Sequence, residues 1–511
     1  MYQKRGLDKL IAFLNYTFGE KLNGLETSEL QRCYCFNNKG KKTKILTLSF
    51  NPEHPYTEYY SGYSSKDFIN MYDYFQEVPF DMKPVAFHPT YYEIGLGQDT
   101  YIVPNEKTFI SKVIKDDRTI AYITFFKGTD QVKNINWLNH DNKIYKVDEY
   151  DSRGFKSRQT FYDKNENAYL MEYLKPNGEK AITMNFANGN IQSTEIKLNL
   201  KNELYVFNSE NELYRLFLKK VLNDDDKLVC EQTSLFKDVL LTEGNFKRYF
   251  TLQCHTDNYL NLRNSKVNET VQLLAENSEK VTAVITATSK QREDLISCYP
   301  SQNKVPFKIH GASLAVEQPL EHVEYKNRNK YKFISAMSLY ESRHPYEMIK
   351  AFEEVIKKYP QAELKIFYKE DQLDNNLYRK CKEYLLRHSL QDSIQLKGYA
   401  LNLDAELDGT FGYLDFDEFD IQPIGLLSAM AHGVPTITLK TPYGKITKQN
   451  KNGFLFDKDK VYDAEYVANL INDMIGFSEE QWNSLSKKTY HSVKQFYPEK
   501  IEKQWNFLLK N

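Results

Sequence analysis

Long apolar runs are missing from this sequence. No stretch approaches the roughly 20 consecutive apolar residues that a membrane-spanning helix needs, and Met1 to Asn15 carries basic residues without the continuous apolar segment of a secretory signal. The expectation is a chain that stays in the cytoplasm. An excess of one charge is missing too: 68 Lys and Arg stand against 69 Asp and Glu, a net charge of -1, so no overall pull toward nucleic acid or anionic lipid follows. Only a local basic patch is left open. Cysteines are few and scattered, at 33, 35, 230, 254, 298 and 381, and the one close pair, Cys33 and Cys35, lacks the paired spacing of a zinc site. All six are expected to be reduced, and no metal is expected.

What is present suits two or three domains with full-sized cores, since 511 residues with 41% hydrophobic and 27% charged composition is ordinary for a globular chain. The helical "SELQRCYCF" followed by the apolar run "TKILTLSF" (43 to 50) reads as part of an α/β unit. From roughly 100 to 205 the pattern changes to Tyr- and Phe-rich strands. Turn signals at Asp151 to Gly154, Asp163 to Asn165, Pro176 to Gly178 and Asn188 to Asn190 recur at about 12-residue intervals, the spacing of an antiparallel meander.

From about 208 onward strands and helices alternate again. "RYFTLQC", "VTAVITAT" and "VPFKIHG" read as strands and "SENELYRLFLKKVL" and "VNETVQLLAENSEK" as helices. A second cycle runs from "YKFISAMSL" through "HPYEMIKAFEEVIKKYP" and "AELKIFYKE" to "DSIQLKGY". Such alternation implies two parallel sheets with helices on both faces, and a cleft between them as the natural site. In "DEFDIQPIGLLSAMAHGVPTITL" (417 to 439) a helix begins near Pro423, stops at Gly433 and leads into the strand Thr436 to Leu439.

The order of "DFINMYDYFQ" (67 to 76), "YDSRGFKSRQTFYD" (150 to 163), "LLSAMAHGVPTIT" (426 to 438) and "YGKITKQNKNGFLF" (443 to 456) resembles the GT-B glycosyltransferases of the GtfA/GtfB and TagE type, which modify serine-rich surface proteins or wall teichoic acid. The resemblance implies an α/β GT-B fold. Residues 1-75 and 206-325 would form an acceptor-side Rossmann-like domain, and 76-205 a β-meander insert for acceptor or partner binding. Residues 326-490 would form the donor-side Rossmann-like domain, and 491-511 a helix packing back across the cleft.

In active members a retaining transfer from a UDP-sugar needs cations on the departing diphosphate, because negative charge builds there as the glycosidic bond breaks. The resemblance assigns these to an Arg and a Lys in "R-x-x-x-x-K", with two Glu eight residues apart in "E-G-F…E". Here the Arg position falls on Ser338, the Lys position on Arg343, and the two Glu positions on Asp420 and Ser428, with Ile421 in place of the glycine. A glycine-containing turn is replaced by Lys369, Glu370 and Asp371, which sets carboxylates where a nucleotide anion should approach. His255, where the family has a histidine near the reacting sugar, and Gly24, in the loop facing the donor, are retained.

These departures imply a non-catalytic, GtfB-like subunit that pairs with an active GtfA-like glycosyltransferase and helps it bind a Ser/Thr-rich protein acceptor. No cofactor is expected, no nucleic acid partner and no transmembrane segment, and peripheral association with the inner face of the membrane is compatible with the resemblance. The rival is an active transferase of GlcNAc or glucose from a UDP-sugar, in which Asp420 and Arg343 substitute for Glu and Lys, or Asp417 or Glu418 moves into the first Glu position. Partner or acceptor contact is expected on the meander, through exposed members of Tyr150, Phe155, Tyr162, Tyr169 and Tyr173, aromatics being enriched at the energetic centres of interfaces.

Overall fold

A computed structural model of the chain describes residues 9–19, 21–53, 64–84, 97, 99–104, 110–187, 192–252, 260–261, 266–297, 299, 305–313, 325–369, 374–400, 402–418, 423–440 and 446–510. Seven parallel strands form the first sheet, in the spatial order Ile309–Gly311, Ala283–Thr286, Lys247–Thr251, Lys227–Cys230, Ile11–Asn15, Thr43–Thr47 and Phe68–Asn70. These strands are short apolar runs because both faces are covered, and Phe13, Leu14, Ile45, Leu46, Val229 and Ile285 are fully buried. Six parallel strands form a second sheet, in the order Ile394–Gly398, Glu363–Phe367, Asn329–Ala336, Thr410–Asp415, Thr436–Leu439 and Gly453–Phe456.

Counted along the chain, the strands of the second sheet lie in the order 3-2-1-4-5-6. This is the doubly wound arrangement, in which the winding reverses between strands 1 and 4 and a crevice opens at their carboxyl ends. The first sheet follows the same order with a seventh strand beside the sixth. Its crevice therefore lies beyond Asn15 and Cys230, and that of the second sheet beyond Ala336 and Asp415.

Between the third and fourth strands of the first sheet the chain builds a ten-stranded antiparallel sheet, in strict sequence order from Tyr101–Val103 to Glu203–Phe207. The turn signals at Asp151, Asp163 and Pro176 do what their chemistry allows, and Asn188 to Asn190 lies outside the described residues. The Asp163 side chain accepts from the backbone N–H groups of Asn165 and Asn167 at 2.8 and 2.9 Å, and Gly178 takes the left-handed φ of +85°. One face of this meander joins the core of the first unit, where Tyr173, Ile182, Met184 and Leu198 pack in one cluster with Met71, Phe75 and Phe217.

Polar clasps fix the junction. Gln76 donates to the carbonyls of Ser157 and Leu174 at 2.9 and 2.6 Å, and Arg153 reaches both Asp151 at 2.7 Å and Asp73 at 2.6 Å. The motif "YDSRGFKS" is thus a clasp between the meander and the helix Met71–Phe75.

The last helices, Pro498–Gln504 and Asn506–Leu509, return to the first sheet. Ile501, Trp505 and Leu508 are buried in one cluster with Phe13, Phe36 and Ile285. The Trp505 indole N–H donates to the Ser313 carbonyl at 3.0 Å, and the Lys227 ammonium to that of Leu508 at 2.6 Å. No helix among the described residues is long and apolar enough to cross a membrane.

Candidate functional site

The crevice of the second sheet is built from two loops. Strand Asn329–Ala336 runs through Ser338 into the turn Glu341–Arg343, and helix Pro345–Lys358 follows, its first position filled by a proline that has no N–H to satisfy. The helix buries Met348, Ile349, Phe352 and Val355 against the sheet, which fixes its direction. Between turn and helix, His344 takes a left-handed conformation with φ +48°, uncommon for a residue with a side chain. The other loop, Phe416 to Glu418, leaves the end of strand Thr410–Asp415.

These loops are tied to each other by charge. Arg343 pairs with Asp417, whose side chain is only 2% exposed. His344 Nε2 lies 2.7 Å from Glu418 Oε1, while the second oxygen of Glu418 is 2.5 Å from the Lys458 ammonium. The Glu418 N–H donates to the Ser342 carbonyl at 3.1 Å. Burial by itself would lower the His344 pKa, but the carboxylates of Glu347 and Glu418 outweigh it and hold the imidazole above its ordinary value.

The remaining sequence candidates are distributed as follows. Ser338 is half-buried and its carbonyl accepts from the Tyr340 N–H at 3.1 Å. Ser428 is half-buried within helix Ile424–Ala431, and its carbonyl accepts from the His432 N–H at 3.0 Å. Asp420, Ile421, Glu370, Asp371 and His255 lie outside the described residues. Gly24 is the first residue of helix Gly24–Asn38, capped by Asn23 and Glu26, and a Cβ there would come within 2.9 Å of Ile424 Cγ1. It is a contact between the two Rossmann-like units, with Leu22 N–H donating to the Tyr399 hydroxyl at 2.8 Å beside it.

The crevice of the first sheet holds a group that the sequence did not signal. Asn15 donates to Glu29 at 2.9 Å, and Arg32 pairs with Glu231 at 2.5 Å with both side chains fully buried. The Trp505 ring lies 4.7 Å from the Arg32 guanidinium. Burial, and then the charge of Glu231, push the Glu29 carboxyl well above the usual carboxylate range. Glu29 and Arg32 occupy a helix of very weak amphipathic pattern, so no periodicity marks them as interior. Both crevices are thus crossed by ion pairs internal to the chain. Among the described residues no cluster of His, Cys, Asp and Glu is arranged to hold a metal.

The meander corrects the expectation for three of its aromatics. Tyr150, Phe155 and Tyr173 are buried. Tyr173 packs against Tyr72 and Phe50 with ring centroids 4.6 and 5.2 Å apart, Phe155 lies beside the Arg153 guanidinium, and Tyr150 belongs to the small core around Ile123 and Ile135. For Tyr150 and Tyr173 the reason is register: the pairing slips at Glu149/Tyr150 and Tyr173/Leu174, so simple alternation does not assign the faces. Phe155 lies in the turn before strand Lys156–Tyr162, its carbonyl accepting from the Asp151 N–H at 2.9 Å. Tyr162 is half-buried and Tyr169 is exposed, and the sheet also exposes Tyr101, Tyr145, Leu204 and Val206.

Comparison with known proteins agrees with this architecture. The GtfB middle domain family matches residues 105–208. The poly(glycerol-phosphate) alpha-glucosyltransferase of Bacillus subtilis (strain 168) is 22% identical over 521 residues, spanning 97% of this chain and 74% of that protein. A segment of 79 residues, 16% of this chain and 17% of the other, is 34% identical to the UDP-N-acetylglucosamine--peptide N-acetylglucosaminyltransferase stabilizing protein GtfB of Streptococcus agalactiae. The pneumococcal O-GlcNAc transferase GtfA, solved in complex with UDP and GlcNAc, superimposes with a TM-score of 0.83 at 18% identity, covering 99% of this chain and all of that one. The chain is thus a relative of the GtfA/GtfB and teichoic acid glycosyltransferases, built on the GT-B fold, with a GtfB-type middle domain in residues 105–208.

Proposed function

We propose that the chain is a non-catalytic glycosyltransferase-fold subunit that stabilises an active GtfA-like transferase and helps it hold a Ser/Thr-rich polypeptide in the cytoplasm. The observation that carries this reading is the ion-paired closure of the second crevice. Arg343, the one cation left at the phosphate positions implied by the family resemblance, has its charge met by the buried Asp417. A guanidinium already neutralised inside the protein offers little to a departing diphosphate, which is where such transferases need positive charge. The GtfB middle domain match, and the stabilising role in the name of the Streptococcus agalactiae relative, support the partner assignment. In this reading residues 76-205 carry the partner contact, residues 326-490 are the former donor side, and residues 491-511 strap the two Rossmann-like units together.

The test is to purify the chain alone and with a genomically neighbouring transferase and to assay sugar transfer from UDP-GlcNAc and UDP-glucose. The chain alone should give negligible turnover and bind UDP more weakly than the micromolar range common for substrates, while the pair should copurify and be active. Robust turnover by the chain alone, abolished by Asp420→Ala, favours the second reading. That reading is a retaining transferase acting on protein Ser/Thr or wall teichoic acid, and it draws support from the nearly end-to-end match to the Bacillus subtilis glucosyltransferase.

A further inference from the structure

A cavity of about 460 Å³ lies in the second Rossmann-like unit, at the edge of the sheet away from its crevice. Asn452 immediately precedes strand Gly453–Phe456, so this is the amino end of the strands, whereas the crevice is at their carboxyl ends. Its walls come from the loop before that strand and from the end of helix Glu479–Ser492. They present Lys448, Lys451 and Lys488, together with Asn452, Ser492 and Gln495. Among the described residues no carboxylate lines it.

The lysine-bearing loop is held in place from inside. The buried Asn452 accepts from the Lys448 N–H at 2.6 Å and donates to the Ile446 carbonyl at 3.2 Å, and its own carbonyl accepts from the Thr489 hydroxyl at 2.9 Å. Thr447 is tied to Thr436, hydroxyl to hydroxyl, at 3.0 Å. Backbone hydrogen bonds from the Lys451 and Asn452 N–H groups to the Lys448 carbonyl complete the turn. Lys448 and Lys451 are therefore carried on anchored backbone, and helix Glu479–Ser492 sets Lys488 in the same lining.

Acids and bases are almost equal in number in this chain, and three other lysines of this unit find partners: Lys440 pairs with Asp457, Lys458 with Glu418 and Lys460 with Asp463. The ammonium groups of Lys448, Lys451 and Lys488 have no ion-pair partner among the described residues. A concave site lined by three lysines, with no carboxylate among the described residues of its lining, suits an anion. We propose that this cavity binds a compact, multiply charged phosphate of the diphosphate class.

The choice of ligand follows from the lining. Lysines are mobile point charges that suit phosphate oxygens without fixing a planar partner, and Ser492 and Gln495 add neutral hydrogen-bonding groups. The volume admits more than one phosphate. Among the described residues no aromatic ring lines the cavity, so none of them would stack on a base. The inference does not rest on the reading of the crevice as inactive.

Isothermal titration of the full chain with inorganic pyrophosphate tests it. One saturable site is expected, tighter for pyrophosphate than for orthophosphate and weakened by added salt. The variant Lys448→Gln/Lys488→Gln should bind roughly tenfold or more weakly, since charge-assisted contacts are the strong ones, with an unchanged melting temperature because both side chains are exposed. The control Lys487→Gln/Lys494→Gln, which alters nearby lysines that do not line the cavity, should bind like the parent. The proposal is overturned if pyrophosphate shows no saturable binding, if Lys448→Gln/Lys488→Gln binds normally, or if the control loses as much affinity. Binding only to vesicles containing phosphatidylglycerol, with none to pyrophosphate, would also overturn it and assign the lysines to a lipid headgroup.

Discussion

Glu231→Gln is expected to cost about 3–5 kcal/mol, because it leaves the fully buried Arg32 guanidinium without its counter-charge. Urea unfolding of the full chain measures this, and a loss under about 1 kcal/mol would mean that water reaches the pair. His344 makes a second residue-scale prediction, in pH. Its folded-state pKa is raised above the unfolded value, so its contribution is fully present below about pH 6.5 and is lost as pH rises through the raised value. Glu347 has the opposite sign: its carboxyl is lowered, with burial opposing and the His344 contact prevailing, so its stabilisation is present above the ordinary carboxylate range and lost as pH falls through the lowered value. The melting temperature of the parent chain should therefore fall relative to that of His344→Gln between about pH 6 and pH 9. Parallel profiles would detach His344 from the ion-paired loop.

Among the elements, the clasp of the meander onto the first unit is the one most open to test. Arg153→Met removes the contacts to Asp73 and Asp151 and leaves Asp151, which is almost fully buried, without its cation. Hydrogen exchange in strand Lys156–Tyr162 should quicken at least tenfold, and an unchanged rate would show that Gln76 and the apolar contacts suffice to hold the sheet.

The elements themselves were largely legible. Strand and helix periodicities, the Gly433 stop and the evenly spaced turn signals of the meander are local signals, and the two parallel sheets and the antiparallel one follow from them. What stayed hidden is not local. The burial of Tyr150 and Tyr173 depends on register slips between strands, and the Arg32–Glu231 pair joins residues far apart in sequence, so no short window contains it. At the candidate site the sequence marks Ser338, Arg343 and Ser428 as departures from the pattern of the family it resembles. That Asp417 meets Arg343 while Glu418 meets His344 and Lys458 depends on how two loops cross, and sequence spacing does not encode it.

For the molecule as a whole, the contact of Gly24 with Ile424 makes the relative position of the two Rossmann-like units sensitive to one methyl group. Gly24→Val should push them apart, since its Cβ would meet Ile424 Cγ1 at 2.9 Å, and Ile424→Ala in the same chain should restore the parent spacing. Small-angle scattering reads this as an increased radius of gyration that returns in the double variant, and an unchanged radius in Gly24→Val would show that side-chain adjustment absorbs the clash. The return of Trp505 to the first sheet has a consequence for biosynthesis. Strand Ile11–Asn15 leaves the ribosome early, yet the side chains that cover Phe13 and Phe36 arrive only with Ile501, Trp505 and Leu508. At roughly 5–20 residues per second, translation of the intervening second unit takes on the order of 10–40 s. During that interval the nascent first unit presents an open apolar face beside a half-sheltered ion pair, a standing target for chaperones, and a message truncated before codon 498 would leave that face uncovered for the lifetime of the product.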